Sequence, residues 1–227
     1  MSKLSLVQTA DGSNTFFNAE VGEHYHSRHG ALQEALHVFV KSGLEYFIAD
    51  QDVQEVSILE VGFGTGLNFL LSAGFCTHKN IKLNYTGIEA YPLPPELISQ
   101  TGYQEYVPQS LWAAFLQNYP AALQQAVTLN TPCTLQISPC KLMDFNSQKQ
   151  FDVLYFDAFA AIHQPEMWTD EALKHITSFL KPGGVFVTYA ITGNLKRIMK
   201  ALKFSIEKAP GAPGKREMLR AVKLSEL

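Results

Sequence analysis

Residues 58–68 read ILEVGFGTGLN. An apolar run from Val56 to Val61 carries Glu60 near its end, and Gly62, Gly64 and Gly66 follow at alternate positions. Such a run is a buried strand. Glycines at its carboxyl end let the backbone turn sharply and approach a ligand closely. The next segment, LNFLLSAGF, has helical spacing. Strand, glycine turn and helix together make the opening unit of an open α/β sheet, whose ligands bind at the carboxyl ends of the strands.

The spacing says more than the glycines alone. A dinucleotide fingerprint reads G-x-G-x-x-G and seats a pyrophosphate on the helix N-terminus. Here the third glycine comes one position early, and Leu67 stands where it is expected. Glu60 precedes the loop, where a diphosphate gains nothing from it. A ligand with a positive centre and no phosphate fits better, and S-adenosylmethionine (SAM) is such a molecule.

Outward from this unit, strands and helices alternate. Ala31–Phe47 carries apolar residues at helical spacing. Strands are expected at Leu83–Glu89, Cys133–Ile137, Phe151–Phe156 and Val185–Tyr189, and helices at Met167–Leu180 and Asn194–Leu202. Pro182-Gly183-Gly184 should stop the first of these helices. DGSNTFFN near the start suggests a hairpin, and Phe204–Lys208 with Met218–Val222 flank PGAPGK as a terminal one. This order predicts a mostly parallel sheet with helices on both faces. The 91–130 stretch is rich in proline and aromatics and too long for a simple crossover, so it should hold extra helices. We expect residues 1–50 to be an extension packed on a core domain of 51–227.

Composition sets the outer limits. The 227 residues suit one domain, and the net charge of −3 gives no general nucleic-acid signal. The charge is uneven, however. Residues 190–227 hold nine Lys/Arg against three Asp/Glu, a pointer either to an acidic partner or to a solvated face. Cys76, Cys133 and Cys140 are few and lack CxxC spacing, which argues for a reducing compartment and against a structural zinc site. No apolar run reaches membrane-spanning length, and a cytoplasmic location is expected. His24, His26 and His29 form an H-x-H-x-x-H cluster with no acidic or cysteine neighbour except Glu23, so no metal is expected.

The candidate site collects at strand ends. Glu89 can accept from ribose hydroxyls. Asp157 ends FDVLYFD on the same sheet edge as the glycine loop. A carboxylate there can orient or deprotonate a nucleophile, or it can cap the next turn. Glu60, Gly62, Gly64, Gly66, Asn68, Glu89 and Asp157 form the expected cofactor set. Met167 and Trp168 either line a pocket for a base or pack under the following helix. Lys215 and Arg216, in the basic C-terminal region with Lys196, Arg197 and Lys200, are candidate phosphate contacts.

Several longer motifs, ILEVGFGTGLNFLL, YFDAFA…PEMWT, LKPGGVFVTY and GKREML, together with GEHYHSRHGALQEALHVFV near the start, resemble the methyltransferase half of the bacterial MnmC family over roughly Asp11 to Val222. The resemblance implies a Rossmann-like class I fold and SAM as cofactor. It implies N-methylation of the 5-aminomethyl group of (2-thio)uridine at the wobble position of transfer RNA. Many members fuse this half to a flavin-dependent oxidase that makes the amine; here it implies a stand-alone form, with a separate enzyme supplying the precursor. It also places Tyr25, Ser27 and Arg28 near cofactor or substrate, and Phe159 in YFDAFA is a further substrate candidate. The chain reads DAFAAIHQP where the family usually has DGFAPAKNP, and Ser138-Pro139 where it often has Gly-Asp. Two rival readings remain: a SAM enzyme for a small-molecule or protein amine, and a dinucleotide-binding module without activity.

Overall fold

The computed structural model describes residues 4–49, 51–129 and 132–225. Eleven strands run through them: β1 Leu4–Gln8, β2 Asn14–Asn18, β3 Glu23–His24, β4 Glu55–Val61, β5 Lys82–Ile88, β6 Val127–Thr128, β7 Cys133–Ser138, β8 Phe151–Phe156, β9 Leu180–Thr188, β10 Phe204–Pro210 and β11 Glu217–Lys223. The first three form a small antiparallel sheet. The other eight form one sheet ordered β10-β11-β9-β8-β4-β5-β7-β6. Strands β7, β5, β4, β8 and β9 are mutually parallel, and β11 enters antiparallel between β9 and β10.

Each central strand is apolar on both faces because both are covered. Along β4, Val56 and Ile58 belong to one core with Phe39, Phe69 and Phe115, while Leu59 and Val61 belong to another with Phe156, Leu173 and Ile198. The first core lies under three helices, residues 31–48, Leu67–Lys79 and Gln109–Ala122. The second lies under Asp170–Thr177 and Gly193–Ala201. Their starts are capped by hydroxyls: Thr169 accepts from the Ala172 amide and Thr192 from the Leu195 amide.

The expected architecture is borne out: a mostly parallel sheet with helices on both faces. Differences lie at element ends. The helix expected from Met167 starts at Asp170, because Thr169 is its cap and Pro165–Trp168 forms a tight turn of its own. Lys181-Pro182-Gly183-Gly184 does not separate helix from strand. It lies inside β9, near a register irregularity against β8 that absorbs the proline. The helix over 31–48 is wound with π spacing through Ala35–Glu45, a local geometry that period counting does not distinguish from α. The Pro- and aromatic-rich 91–130 stretch holds the helices Pro95–Ile98 and Gln109–Ala122. No helix among the described residues is long and apolar enough to cross a membrane.

The N-terminal sheet is tied to the helix at 31–48 by side chains. The Asp11 carboxylate accepts from the Ser13 and Gln33 amides and from the Thr9 and Ser13 hydroxyls. Ser13 Oγ in turn accepts from the Ala31 and Leu32 amides. The three histidines part company. His24 packs on Phe17, the His29 ring lies against Gly214, and His26 turns inward beside the Thr15 hydroxyl at 3.0 Å. Burial lowers the His26 pKa from 6.5 to about 4. The unfolded chain therefore binds the extra proton first, so stability is complete above pH 6.5 and falls as pH drops toward 4. Melting temperatures across that window should fall in the wild type and fall less in His26→Gln; parallel curves would refute the assignment.

Candidate active site

At the end of β4 the chain turns with φ of 83° at Gly62, 52° at Gly64 and 80° at Gly66, all in the left-handed region. All three are also crowded: a Cβ on Gly62 would strike the Asp157 carbonyl oxygen, one on Gly66 would lie 2.8 Å from the Phe115 ring, and one on Gly64 would lie 3.0 Å from the Tyr25 ring. The loop is pinned by the Gly62 and Phe63 amides, which donate to the Ile88 carbonyl at 3.0 and 3.1 Å. The Asp157 amide donates to the Val61 carbonyl at 2.9 Å. The ends of β4, β5 and β8 thus meet backbone to backbone, which brings Gly62, Gly64, Gly66, Glu89 and Asp157 together.

Glu60 occupies a different place from the one its sequence suggested. It is fully buried beneath the loop. Its Oε1 accepts from Asn68 Nδ2 at 2.8 Å and its Oε2 from the Tyr85 hydroxyl at 2.8 Å. Burial, followed by the neighbouring Asp157, pushes its carboxyl well above the usual range. Asn68 gives its second amide hydrogen to Asp157 Oδ2 at 2.9 Å. Two carboxylate partners fix which end of the amide is nitrogen. The other end, Asn68 Oδ1, is buried without a partner among the described residues.

Glu89 stands just past β5. Its Oε2 accepts from the Gly64 amide at 2.9 Å and its Oε1 from the Tyr91 amide at 3.0 Å. Burial raises its pKa, and these two amides partly offset that. Each carboxylate oxygen can accept twice, so each keeps a lone pair. Asp157 is half-buried. Burial raises its pKa well above the usual range, and the Glu34 carboxylate adds to the rise, while Asn68 and Lys215 oppose it.

A second wall comes from the N-terminal segment and the loop after β8. The Tyr25 and Phe159 rings meet edge-on at 5.3 Å. Burial raises the Tyr25 hydroxyl pKa to about 12. The Ala160 amide donates to Glu23 Oε2 at 2.9 Å. The Ser27 amide donates to Glu34 Oε1 at 3.0 Å. Arg28 is exposed and faces a hollow of the small sheet beside Phe17 and His24.

The remaining candidates divide. Trp168 is an internal residue: its Nε1 donates to the Phe159 carbonyl at 2.9 Å and its ring packs on Phe156 and Tyr189. Met167 beside it is half-buried. Lys215 does not point to solvent; its Nζ sits 2.8 Å from Glu34 Oε2 and 3.8 Å from the centre of the Tyr189 ring. Arg216 is exposed. Glu23, Glu34, Tyr85 and Tyr189 also support the site, although no local pattern marks them as site residues. Glu34 carries a more general signal: it falls among Ala31, Ala35 and Val38 on the buried face of its helix, and an acid at a core position calls for a partner.

The strand order and the glycine-and-carboxylate edge define a Rossmann-like class I methyltransferase. Residues 107–224 match the family model described as S-adenosyl-L-methionine-dependent methyltransferase, and the chain belongs to that family. Its cofactor is SAM, and the reading as a dinucleotide module without activity falls away. The resemblance to MnmC is borne out. The chain is 32% identical over 213 residues to the tRNA 5-methylaminomethyl-2-thiouridine biosynthesis bifunctional protein MnmC of Magnetococcus marinus, covering 88% of this chain and 31% of that protein. The MnmC of Aromatoleum aromaticum is 29% identical over 225 residues, covering 95% and 34%. The chain thus spans about a third of the length of the curated relatives it matches. Among solved structures, MNMC2 from Aquifex aeolicus shares the fold with a TM-score of 0.77 at 21% identity, covering 100% of this chain and 74% of that one.

Proposed function

We propose that the protein transfers a methyl group from SAM to the amine of 5-aminomethyl-(2-thio)uridine at the transfer RNA wobble position. The observation that carries this reading is Asp157. Its half-buried carboxylate follows β8, whose end meets the glycine loop at Gly62, with Oδ2 already held by Asn68, and Phe159 of the Tyr25–Phe159 wall follows two residues later. The names of the MnmC relatives, which refer to biosynthesis of tRNA 5-methylaminomethyl-2-thiouridine, support this choice of substrate.

The residues fit the cofactor. SAM carries a sulfonium, an ammonium and a ribose diol but no phosphate. The lone pairs left on Glu89 suit ribose hydroxyls, and the orphaned Asn68 Oδ1 suits an ammonium donor. Gly64, with no side chain, lets the ligand reach the backbone. Glu60 acts from beneath, by orienting Asn68. When bound, SAM supplies an electrophilic methyl group. Asp157 would accept a hydrogen bond from the incoming amine, aim its lone pair and take the proton lost as the nitrogen–carbon bond forms and the carbon–sulfur bond breaks, the sulfonium sulfur leaving as a neutral thioether. Tyr25, Phe159 and Met167 shape the acceptor side. Arg28 and Arg216, both exposed, are left for phosphates.

Glu89→Ala should weaken SAM binding about 10–100-fold, since a hydrogen bond to a charged group contributes about 1.5–3 kcal/mol. Calorimetric titration with SAM checks it, and an unchanged Kd would remove Glu89 from the site.

Residues 1–50 then serve as an extension that walls the acceptor side, and 51–227 as the methyltransferase domain. An enzyme that leaves a primary amine on the uridine must act first, and such a substrate places the reaction in the cytoplasm. The deciding experiment offers labelled SAM and two transfer RNA pools, one from cells blocked before wobble-amine methylation and one from normal cells. Label in 5-methylaminomethyl uridines from the blocked pool alone is expected. SAM binding without RNA labelling would move the search to a small-molecule or protein amine.

A further inference from the structure

We propose that the helix Gly193–Ala201 and the turn behind it form the face on which the transfer RNA backbone docks, with Lys196, Lys200 and Lys203 on its phosphates. This rests on the reading of transfer RNA as the substrate, and it concerns a surface outside the site itself.

The C-terminal cations divide into two groups. Of the nine Lys/Arg in residues 190–227, most are committed within the protein. Arg197 bonds Asp170 and Asn194, Lys208 faces Glu217, Lys215 faces Glu34 and Arg220 bonds Glu207. Lys223 donates to the Thr177 and Leu180 carbonyls. The rest are Lys196, Lys200, Lys203 and Arg216, whose side chains have no hydrogen bond or ion pair among the described residues.

All of these but Arg216 lie on one short stretch. Lys196 and Lys200 are four positions apart and share one flank of the helix, while Leu195, Ile198 and Met199 bury its other face. Lys200 and Lys203 are exposed and Lys196 is half-buried. Like charges at that spacing repel, and the helix itself contains no Asp or Glu to offset them. An ordinary solvated face mixes both signs. A face of one sign suits a polyanion.

The place of the helix suits a substrate far larger than the site. β9 ends at Thr188, and the hydroxyl of the next residue, Tyr189, donates to the Ala158 carbonyl at 2.9 Å, one residue past Asp157. Thr192 then caps the helix, which therefore starts at the sheet edge that carries the site. Behind its far end the Lys203 carbonyl accepts from the Leu224 amide, just past β11, at 3.0 Å. Because β11 runs antiparallel to β9, that is the opposite edge. At a rise of 1.5 Å per residue, Lys196 to Lys203 spans about 10 Å, leading away from the reacting base. The remaining surface disfavours such a partner: the other 189 residues hold nine Lys/Arg against 18 Asp/Glu.

The test measures the affinity of the full chain for the blocked transfer RNA pool against KCl concentration. Each phosphate contact contributes about 0.7–0.9 to the slope of log affinity on log salt. Lys196→Gln/Lys200→Gln/Lys203→Gln should therefore flatten that slope by about two and weaken binding about 10–100-fold near 0.1 M salt. KM for the RNA should rise to match, with kcat at saturating RNA and the SAM Kd as in the wild type. The melting temperature should be level with the wild type or higher, because a like-charge pair has gone. The triple arginine variant should keep the wild-type slope. Lys41→Gln/Lys79→Gln/Lys149→Gln removes the same charge from other exposed positions and should leave the slope nearly intact. An unchanged slope in the first variant, or an equal fall in both glutamine triples, overturns the proposal. So does binding to phosphatidylglycerol vesicles that the first variant loses while its RNA affinity stays, which assigns the face to a membrane. The expected slopes with no labelled nucleoside keep the docking face and overturn the wobble-amine reading alone. A wild type that binds none of the pool overturns both.

Discussion

Asp157→Asn should lose methyl transfer while keeping most of its SAM affinity. The substituted amide still offers an oxygen to Asn68, so the tie across the strand ends survives. What disappears is the proton acceptor. Positioned acid–base groups contribute about a hundredfold to ten-thousandfold, and kcat/KM should drop by that much. Calorimetry with SAM and a transfer assay on the same preparation separate the two quantities. Equal loss of binding and turnover would assign Asp157 to cofactor binding and leave the amine without an acceptor.

The second large effect concerns stability. Glu60→Ala removes the acceptor for both Asn68 Nδ2 and the Tyr85 hydroxyl, at a fully buried site. Each orphaned donor costs about 1–3 kcal/mol, and the emptied volume adds to that. A loss of about 3–5 kcal/mol is a large share of the stability of an ordinary domain. Urea unfolding should show a much lower midpoint for Glu60→Ala and a smaller drop for Glu60→Gln, which keeps one acceptor. A wild-type midpoint for the alanine variant would mean that neither bond holds the loop base.

These two expectations mark how far the sequence is legible. The glycine loop, Glu89 and Asp157 are readable because strand ends and glycine spacing are local signals, and parallel pairing gathers them on one edge. Glu60 is readable as an acid before the loop, but not its direction. That depends on strand parity: Glu60 shares the face of Ile58, toward Tyr85, whereas Val61 faces the other core. Lys215 looked like a surface cation because its partner, Glu34, lies 181 positions away. No local pattern encodes that pairing. The sequence suits Trp168 to either pocket or core, and its bond to the Phe159 carbonyl places it in the core.

The same 181-residue separation bears on how the protein matures. During synthesis the helix bearing Glu34 leaves the ribosome long before Lys215 is made. The glycine loop, Asn68 and Asp157 can assemble in the interval, since β4, β5 and β8 are already available. The Glu34–Lys215 tie cannot form until the β10–β11 turn arrives. Closure of so distant a contact is slow compared with local pairing. A nascent chain therefore passes through a stage that carries its glycine loop and strand-end carboxylates while the tie between its first long helix and the β10–β11 turn is still open.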